Sequence, residues 1–505
     1  MNPTYLEGPR RGIATFSLTL ATFMNVLDTT IANVSIPAIA GSLSVSPSQG
    51  TWVITSYSVS MAIVLPLTGW LARRFGEVRV FTACTALFSL ASWLCGLSPD
   101  FYTLVLLRTL QGAVAGPMIP LSQSLLLRCY PPEKKGLALA FWSMTTVLAP
   151  ILGPILGGYI TDNIGWPWIF YINIPVGITS SYITLRVLGE RESAVVKQPI
   201  DVVGLMLLIA GVGSLQLMLD WGHEMDWFES NQVTLLALAS VVALSFFLVW
   251  EYYEEHPVVD FSLFKLRNFT VGTLSISLGY MTFFGGVVIF PLWLQTQMGY
   301  TATWAGLAAA PIGIVTLIMS PVIGSIVYKV DVRPLASFGF AVFAFTCFWQ
   351  GMFNTSAGFF DVAAPRLAQG LGMVCFFIPL TTLSIAGLSP DRIASASGLT
   401  NFLRIIGGSF GTSISVTMWE RRESYHQSYL VEKVNMLDPV GRAALEGAQS
   451  LGIGEGGAYA MLHRTVGNQA VMLATNDIFL LCGAVFSLLV FFVWLARSTE
   501  PVGRR

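Results

Sequence analysis

The sequence predicts an all-α integral membrane protein: two six-helix bundles with two further helices inserted between them. Three observations predict it. The first is composition. Of 505 residues, 54% are apolar and only 11% are charged, with a mean hydropathy of +0.67. Soluble domains carry ~25% charged residues, so a surface this poor in charge faces lipid. The second is the length of the apolar runs, each near the ~20 residues a helix needs to cross a ~30 Å hydrocarbon core. The third is an internal repeat that matches helices early in the chain to helices late in it.

Fourteen stretches satisfy the length rule: 13–35, 51–71, 78–97, 101–126, 137–160, 167–187, 202–219, 233–250, 270–294, 304–328, 333–352, 361–386, 394–418 and 474–496. Runs this long satisfy their backbone in lipid only as helices, which excludes a barrel. Lysine and arginine orient them. With the N-terminus in the cytoplasm, nineteen of the 27 basic residues fall inside, among them Arg73, Arg74, Arg128, Lys134 and Lys135. Five fall outside, Arg421, Arg422, Lys433, Arg442 and Arg464, all in the one long connection 419–473. Both termini are therefore expected in the cytoplasm. The connection 419–473 faces outward at a length that is usually functional or partly ordered, and its glycine-rich centre from Gly452 to Gly457 reads as flexible.

The repeat aligns the second stretch with the tenth: Thr51-Trp52 with Thr303-Trp304, Pro66 with Pro321, Gly69 with Gly324. It aligns the fourth with the twelfth (Arg108-x-x-Gln111-Gly112 with Arg366-x-x-Gln369-Gly370) and the fifth with the thirteenth (Gly153 with Gly411), at offsets of 252–258 residues. The expected domains are a six-helix bundle over 1–190, two inserted helices with their linkers over 191–268, and a second bundle over 269–505. Two such halves around a midplane cavity are the plan of a transporter whose halves rock against each other.

Other function classes find little support. No GxxxxGK[ST] loop occurs, so the chain shows no ATP motor of its own. The four histidines fall in predicted loops without metal-ligand spacing and no HExxH occurs, so no metal, cofactor or enzymatic constellation is expected. A net charge of −1 offers nothing to nucleic acid.

Charge at membrane depth is costly and points to function. Asp28 lies ~22 Å from the inner edge of the first helix, hence ~8 Å from the outer, and Arg108 of the fourth helix lies ~10 Å from that same edge. The pair reads either as a proton-coupling site or as a fixed ion pair that locks two helices. Arg404, near the middle of the thirteenth helix, reads either as a holder of an anionic substrate or as an arginine facing an aqueous cavity. Pro150, Gly153, Pro154 and Gly157 make the fifth helix bent and small-faced, and Gly407 and Gly411 repeat the small face in the thirteenth. This is either a conformational seam or ordinary close packing. Candidates for the cavity wall are Asn25, Asn33, Gln111, Gln123, Tyr280, Phe283, Phe376 and Arg404. Aromatics with few polar groups suit amphipathic organic molecules, and equally a lipid-facing surface.

These motifs resemble a known family. The run Leu27-Asp28-Thr29-Thr30-Ile31-Ala32-Asn33-Val34, the Arg108-x-x-Gln111-Gly112 motif, Gly153-Pro154 with Gly157-Gly158, and the stretch from Gly116 to Tyr130-Pro131-Pro132 are similar to the major facilitator superfamily. Within it they resemble the fourteen-span drug:proton antiporter branch, over nearly the whole chain. The resemblance implies the major facilitator fold and export of hydrophobic compounds such as uncouplers and antibiotics in exchange for protons. It also implies a place in the bacterial inner membrane, as the pump of a tripartite system with a periplasmic adaptor (EmrA-type) and an outer-membrane channel (TolC-type). An alternative is an exporter of one endogenous metabolite or siderophore. The loop between the second and third helices departs from the family pattern: Gly69-Trp70-Leu71-Ala72-Arg73-Arg74-Phe75-Gly76-Glu77 has Arg73 where the family has an acid and Glu77 where it has a later base.

Overall fold

The computed structural model describes residues 5–498 except 46, 51, 197–198, 223–224, 256, 328 and, between 434 and 453, all but 439, 442–443 and 446–447. The side chains of a few helical residues, Pro154 among them, lie outside that description. Every described element is a helix, and each of the fourteen apolar stretches coincides with one. The long helices are α1 (Gly8–Ile31), α2 (Trp52–Phe75), α3 (Glu77–Gly96), α4 (Phe101–Cys129), α5 (Lys135–Asn163), α6 (Asn173–Leu188) and α7 (Val202–Gly222). There follow α8 (Asn231–Tyr253), α9 (Arg267–Thr296), α10 (Trp304–Ile326), α11 (Val332–Gln350), α12 (Phe359–Ile385), α13 (Pro390–Lys433) and α14 (Glu455–Phe492).

Among the described residues, ten of these helices are long and apolar enough to cross a membrane, and the bent α5 makes an eleventh. The other three have visible reasons for falling short. The sixth, α6, is only 16 residues long, and the apolar stretches of α1 and α13 are themselves diluted by Ser, Thr and Asn and by Asp28 and Arg404.

Turns are built from local chemistry. Asp100 accepts from the backbone N–H of Thr103 at 2.9 Å and starts α4. Hydrogen bonds from the Thr103 hydroxyl and amide hold the Asp100 carboxyl below its ordinary range. Gly76, at φ +93°, joins α2 to α3, and a β-carbon there would lie 2.4 Å from the Glu192 carboxyl carbon. Prolines interrupt the helices where they bend: Pro66 sits in a 3₁₀ turn of α2, and the axis of α5 turns by 47° between Pro132–Pro150 and Ile155–Asn163.

The packing repeats as the sequence does. The α1·α5, α2·α4 and α3·α4 contacts of the first half return as α9·α13, α10·α12 and α11·α12 in the second. Between halves, α2 meets α13 and α10 meets α5, again a repeat-related pair. The inserted helices α7 and α8 pack on each other, and α7 leans on both α2 and α13, so the pair straddles the junction of the halves. The indole of Trp227, in the turn between α7 and α8, donates to Thr417 of α13 at 2.8 Å, and Gln216 of α7 donates to Ser409 of α13 at 3.0 Å.

The expectation of one long loop over 419–473 is corrected. The α13 helix runs 44 residues to Lys433 and α14 begins at Glu455, so most of that segment is a helical hairpin standing beyond the bundle. At 1.5 Å per residue, α13 is ~66 Å long, about twice a bilayer core. The base of the hairpin is pinned. Asp477 accepts from Arg422 at 2.6 Å and lies 2.7 Å from His426, and Trp419 donates to Thr475 at 2.9 Å. His426 and His463 therefore lie in helices, not loops, and His223 and His256 are outside the described residues. Of the glycine-rich centre, Gly452 is also outside them, while Gly456 and Gly457 are helical. Hydropathy finds only apolar helices; 420–433 is polar but holds no proline or glycine to break a helix.

Candidate functional site

Two contrasting buried sites stand out, one inside the first half and one between the halves. In the first, Asp28 of α1 and Arg108 of α4 meet as the matching depths predict, 2.6 Å apart, the Asp28 side chain wholly buried and Arg108 only 1% exposed. The rest of the cluster satisfies both charges. Asn173 of α6 donates to Asp28 Oδ1 at 2.8 Å and Gln111 to the same oxygen at 3.3 Å. Gln111 also accepts from Arg108 at 2.8 Å and donates to Ser92 of α3 at 2.7 Å. Arg108 Nε donates to the Val53 carbonyl at 3.0 Å, and its guanidinium lies 4.2 Å from the Tyr57 ring centroid. Five helices thus converge on one ion pair. Removing one partner of a buried pair strands the other charge, at a cost of about 3–5 kcal/mol. Asn173 and Ser92 were not singled out by sequence; an isolated Asn within the apolar α6 run was the available signal.

The second site lies between the halves. Gln123 of α4, Trp142 of α5, Phe377 of α12, and Ser397, Asn401 and Arg404 of α13 surround it. Arg404 is 6% exposed, with its guanidinium 4.9 Å from the Tyr280 ring centroid and 5.7 Å from that of Phe377. Phe377 stacks on Trp142 of the opposite half, centroids 5.9 Å apart and planes 9° apart. Ser397 donates to Gln123 across the same junction. The space enclosed is about 10 Å³, room for one water in this conformation.

Of the expected cavity residues, Gln123, Tyr280 and Arg404 meet here, and the others do not. Asn25 is fully buried, donates to the Ala115 carbonyl and accepts from Tyr57, tying α1 to α4 and α2. Gln111 belongs to the Asp28 cluster. Asn33 is exposed beyond the end of α1. Phe283 faces the interior of the second half, and Phe376 stacks on Phe340 there at 5.0 Å. Single aromatic positions do not reveal which face of a helix they occupy without the neighbouring helices.

The glycine faces pack inside each half, not between the halves. A β-carbon at Gly153 would lie 2.1 Å from Thr30 Oγ1 of α1, and one at Gly157 2.5 Å from the Ile31 carbonyl oxygen. At Gly407 and Gly411 it would lie 2.7 and 1.8 Å from carbonyl oxygens of α9. Pro150 sits half-buried where α5 begins its bend. The close approaches between halves belong to other glycines. A β-carbon at Gly69 would meet Ser395 Oγ of α13 at 2.0 Å, and one at Gly324 would meet the Gly136 carbonyl oxygen of α5 at 2.5 Å.

These contacts lie at the end of the molecule that carries Arg73, Arg128, Lys135 and Arg392. Arg73 donates across the junction to Ser395 at 3.3 Å. Glu77 turns inward and pairs with Arg128 at 2.9 Å. Glu192, from the segment after α6, accepts from the first amides of α3, Val78 and Arg79, at 2.9 and 3.0 Å. A linker carboxylate thus sits on the α3 N-terminus, where the helix dipole favours it. A Gly324→Leu change should hold the halves apart at this end. In a cysteine-free background it should speed labelling of Ser395→Cys by an impermeant thiol reagent; an unchanged rate would mean that α10 and α5 do not control closure.

Comparisons with known proteins follow this geometry. The model of the Major Facilitator Superfamily matches residues 18–412. The chain is 51% identical to the multidrug export protein EmrB of Haemophilus influenzae, over 97% of each chain. It is 48% identical to the fatty acid resistance protein FarB of Neisseria gonorrhoeae, also over 97% of each. The solved structure of the proton:xylose symporter XylE aligns with a TM-score of 0.59 at 14% identity, covering 97% of each chain, a likeness of fold.

Proposed function

The chain belongs to the major facilitator superfamily, and from that premise we propose that it is a multidrug exporter driven by proton exchange. The sealed Asp28–Arg108 pair carries this reading. Protonation of Asp28 removes the charge that holds Arg108, and the helices joined at that point separate. Return of the ion pair releases the proton and resets them. A coupling site needs a single carboxylate whose charge decides a contact between helices, and the Asp28 cluster supplies it.

In this reading the fourteen helices all span the bacterial inner membrane, as bundles 1–190 and 269–505 with the pair 191–268 between them. The basic end faces the cytoplasm, as the excess of Lys and Arg there favours. The closely packed junction at Gly69, Gly324 and Gln123 is then the closed cytoplasmic side of an outward-facing state. The α13–α14 hairpin projects into the periplasm. There it serves as the contact for an EmrA-type adaptor, which leads to a TolC-type channel.

Substrates bind between the halves when the Trp142–Phe377 stack parts. Arg404 then meets the acidic group of an amphipathic weak acid while the aromatic walls take its apolar body. The relatives named for multidrug export and for fatty acid resistance support this choice of chemistry. Expressed in a bacterium lacking its own pumps, together with its adaptor, the protein should raise resistance to hydrophobic weak acids. Arg404→Ala should lose that resistance by tenfold or more, while resistance to neutral hydrophobic compounds is kept. Equal loss for both classes would remove Arg404 from substrate choice, and no resistance to any compound from the wild type would overturn the reading.

A further inference from the structure

The second half contains the arginine of the first without its acid. Arg366, Gln369 and Gln350 each stand 258 residues after Arg108, Gln111 and Ser92. The hydrogen-bonded frame is partly kept. Arg366 Nη1 donates to Gln369 Oε1 at 2.8 Å, and Gln369 donates to Gln350 Oε1 at 3.2 Å. Arg366 is 4% exposed and Gln350 not at all. Its guanidinium carbon lies 3.6 Å from the centroid of Phe290. Arg366 Nε, Arg366 Nη2 and Gln350 Nε2 have no acceptor among the described residues. Both residues line one small cavity between α9, α11, α12 and α14, and among the described residues no carboxylate lines it. On the α9 side, where α1 would supply Asp28, the wall is Thr282, Phe283 and Gly286.

We propose that this cavity binds one inorganic anion of halide size as the counter-ion of Arg366. An arginine cannot shed its charge by deprotonation as a buried lysine can. The cation–π contact with Phe290 offsets only part of the cost of burying the charge. Three unmatched donors, on a cation and an amide that both line one cavity, select an anion over a cation or a neutral apolar group. The space is about 10 Å³, one water-sized position, which admits a halide and excludes phosphate or an organic carboxylate. The first half thus carries a covalent, titratable counter-ion, and the second an exchangeable one that does not titrate.

The test uses the purified full chain, with chloride replaced by gluconate at constant ionic strength. Radioactive chloride should bind at about one per chain, and Tm should rise saturably with chloride. Arg366→Met should abolish both effects. Gly286→Asp supplies the missing acid, and the position has room, since a β-carbon there meets only Phe479 at 3.8 Å. That variant should bind no chloride and should melt in gluconate as the wild type melts in chloride. If Arg366→Met fails to fold, Gly286→Asp carries the test alone. Chloride binding by the wild type no greater than by these variants, with equal Tm in chloride and gluconate, would overturn the proposal and assign the donors to water.

Discussion

Asp28→Asn leaves the protein folded in the membrane and abolishes drug-driven proton movement. The substitution keeps the shape and one acceptor for Arg108 but removes the charge. The amide can still accept from Arg108, which keeps its bonds to the Val53 carbonyl and Gln111 and its place over the Tyr57 ring. The cluster is weakened, because Arg108 loses its counter-charge and Asn173 and Gln111 lose the Oδ1 acceptor, at a cost of up to about 3–5 kcal/mol, which a stability of about 5–15 kcal/mol can absorb. What it cannot do is change charge. Accumulation of a hydrophobic weak acid in cells should match that of cells without the pump, even at expression adjusted to equal amounts of folded protein in the membrane. Full export by Asp28→Asn would reduce the pair to a helix lock.

The second large effect is on stability. Arg108→Leu removes the only cation within hydrogen-bond reach of Asp28 among the described residues and leaves a wholly buried carboxylate with Asn173 and Gln111 alone as donors. The expected cost is about 3–5 kcal/mol, a large part of a typical stability of 5–15 kcal/mol. Yield in the membrane should fall steeply. Combining it with Asp28→Asn removes both charges together, so the double variant should regain most of that yield while remaining unable to export. Thermal melting of the purified variants gives the comparison. A double variant as depleted as Arg108→Leu alone would mean that the arginine acts through packing rather than charge.

The sequence was most legible where physics leaves few choices. Lipid forces helices, so fourteen apolar runs became fourteen helices. Depth along a helix follows from residue count, so Asp28 and Arg108 could be brought together across 80 residues of chain. The repeat predicted which elements correspond, and packing followed it. Legibility failed where a property depends on neighbours. Phe376 and Phe283 occupy the interior of the second half because α11 and α14 cover them, which no pattern within α9 or α12 reveals. Asn173 completes the Asp28 cluster from 145 residues away in the chain. The Gly153 and Gly411 faces were legible as close approaches, but whether they serve contacts within a half or between halves depends on the order of helices around the bundle. The α13–α14 hairpin escaped because hydropathy marks where a helix leaves the membrane, not where it ends. The reversal of Arg73 and Glu77 gained its meaning only with Glu192, which lies on a linker more than a hundred residues later and seats its carboxylate on the α3 N-terminus.

The measurement that bears most directly on proton exchange is drug-driven proton flux in liposomes containing the purified protein and an internal pH-sensitive dye. Addition of a hydrophobic substrate to the wild type should move protons opposite to the drug, and Asp28→Asn should move none. Drug movement by the wild type without any proton flux, or proton flux undiminished in Asp28→Asn, would contradict the assignment of coupling to Asp28 and Arg108.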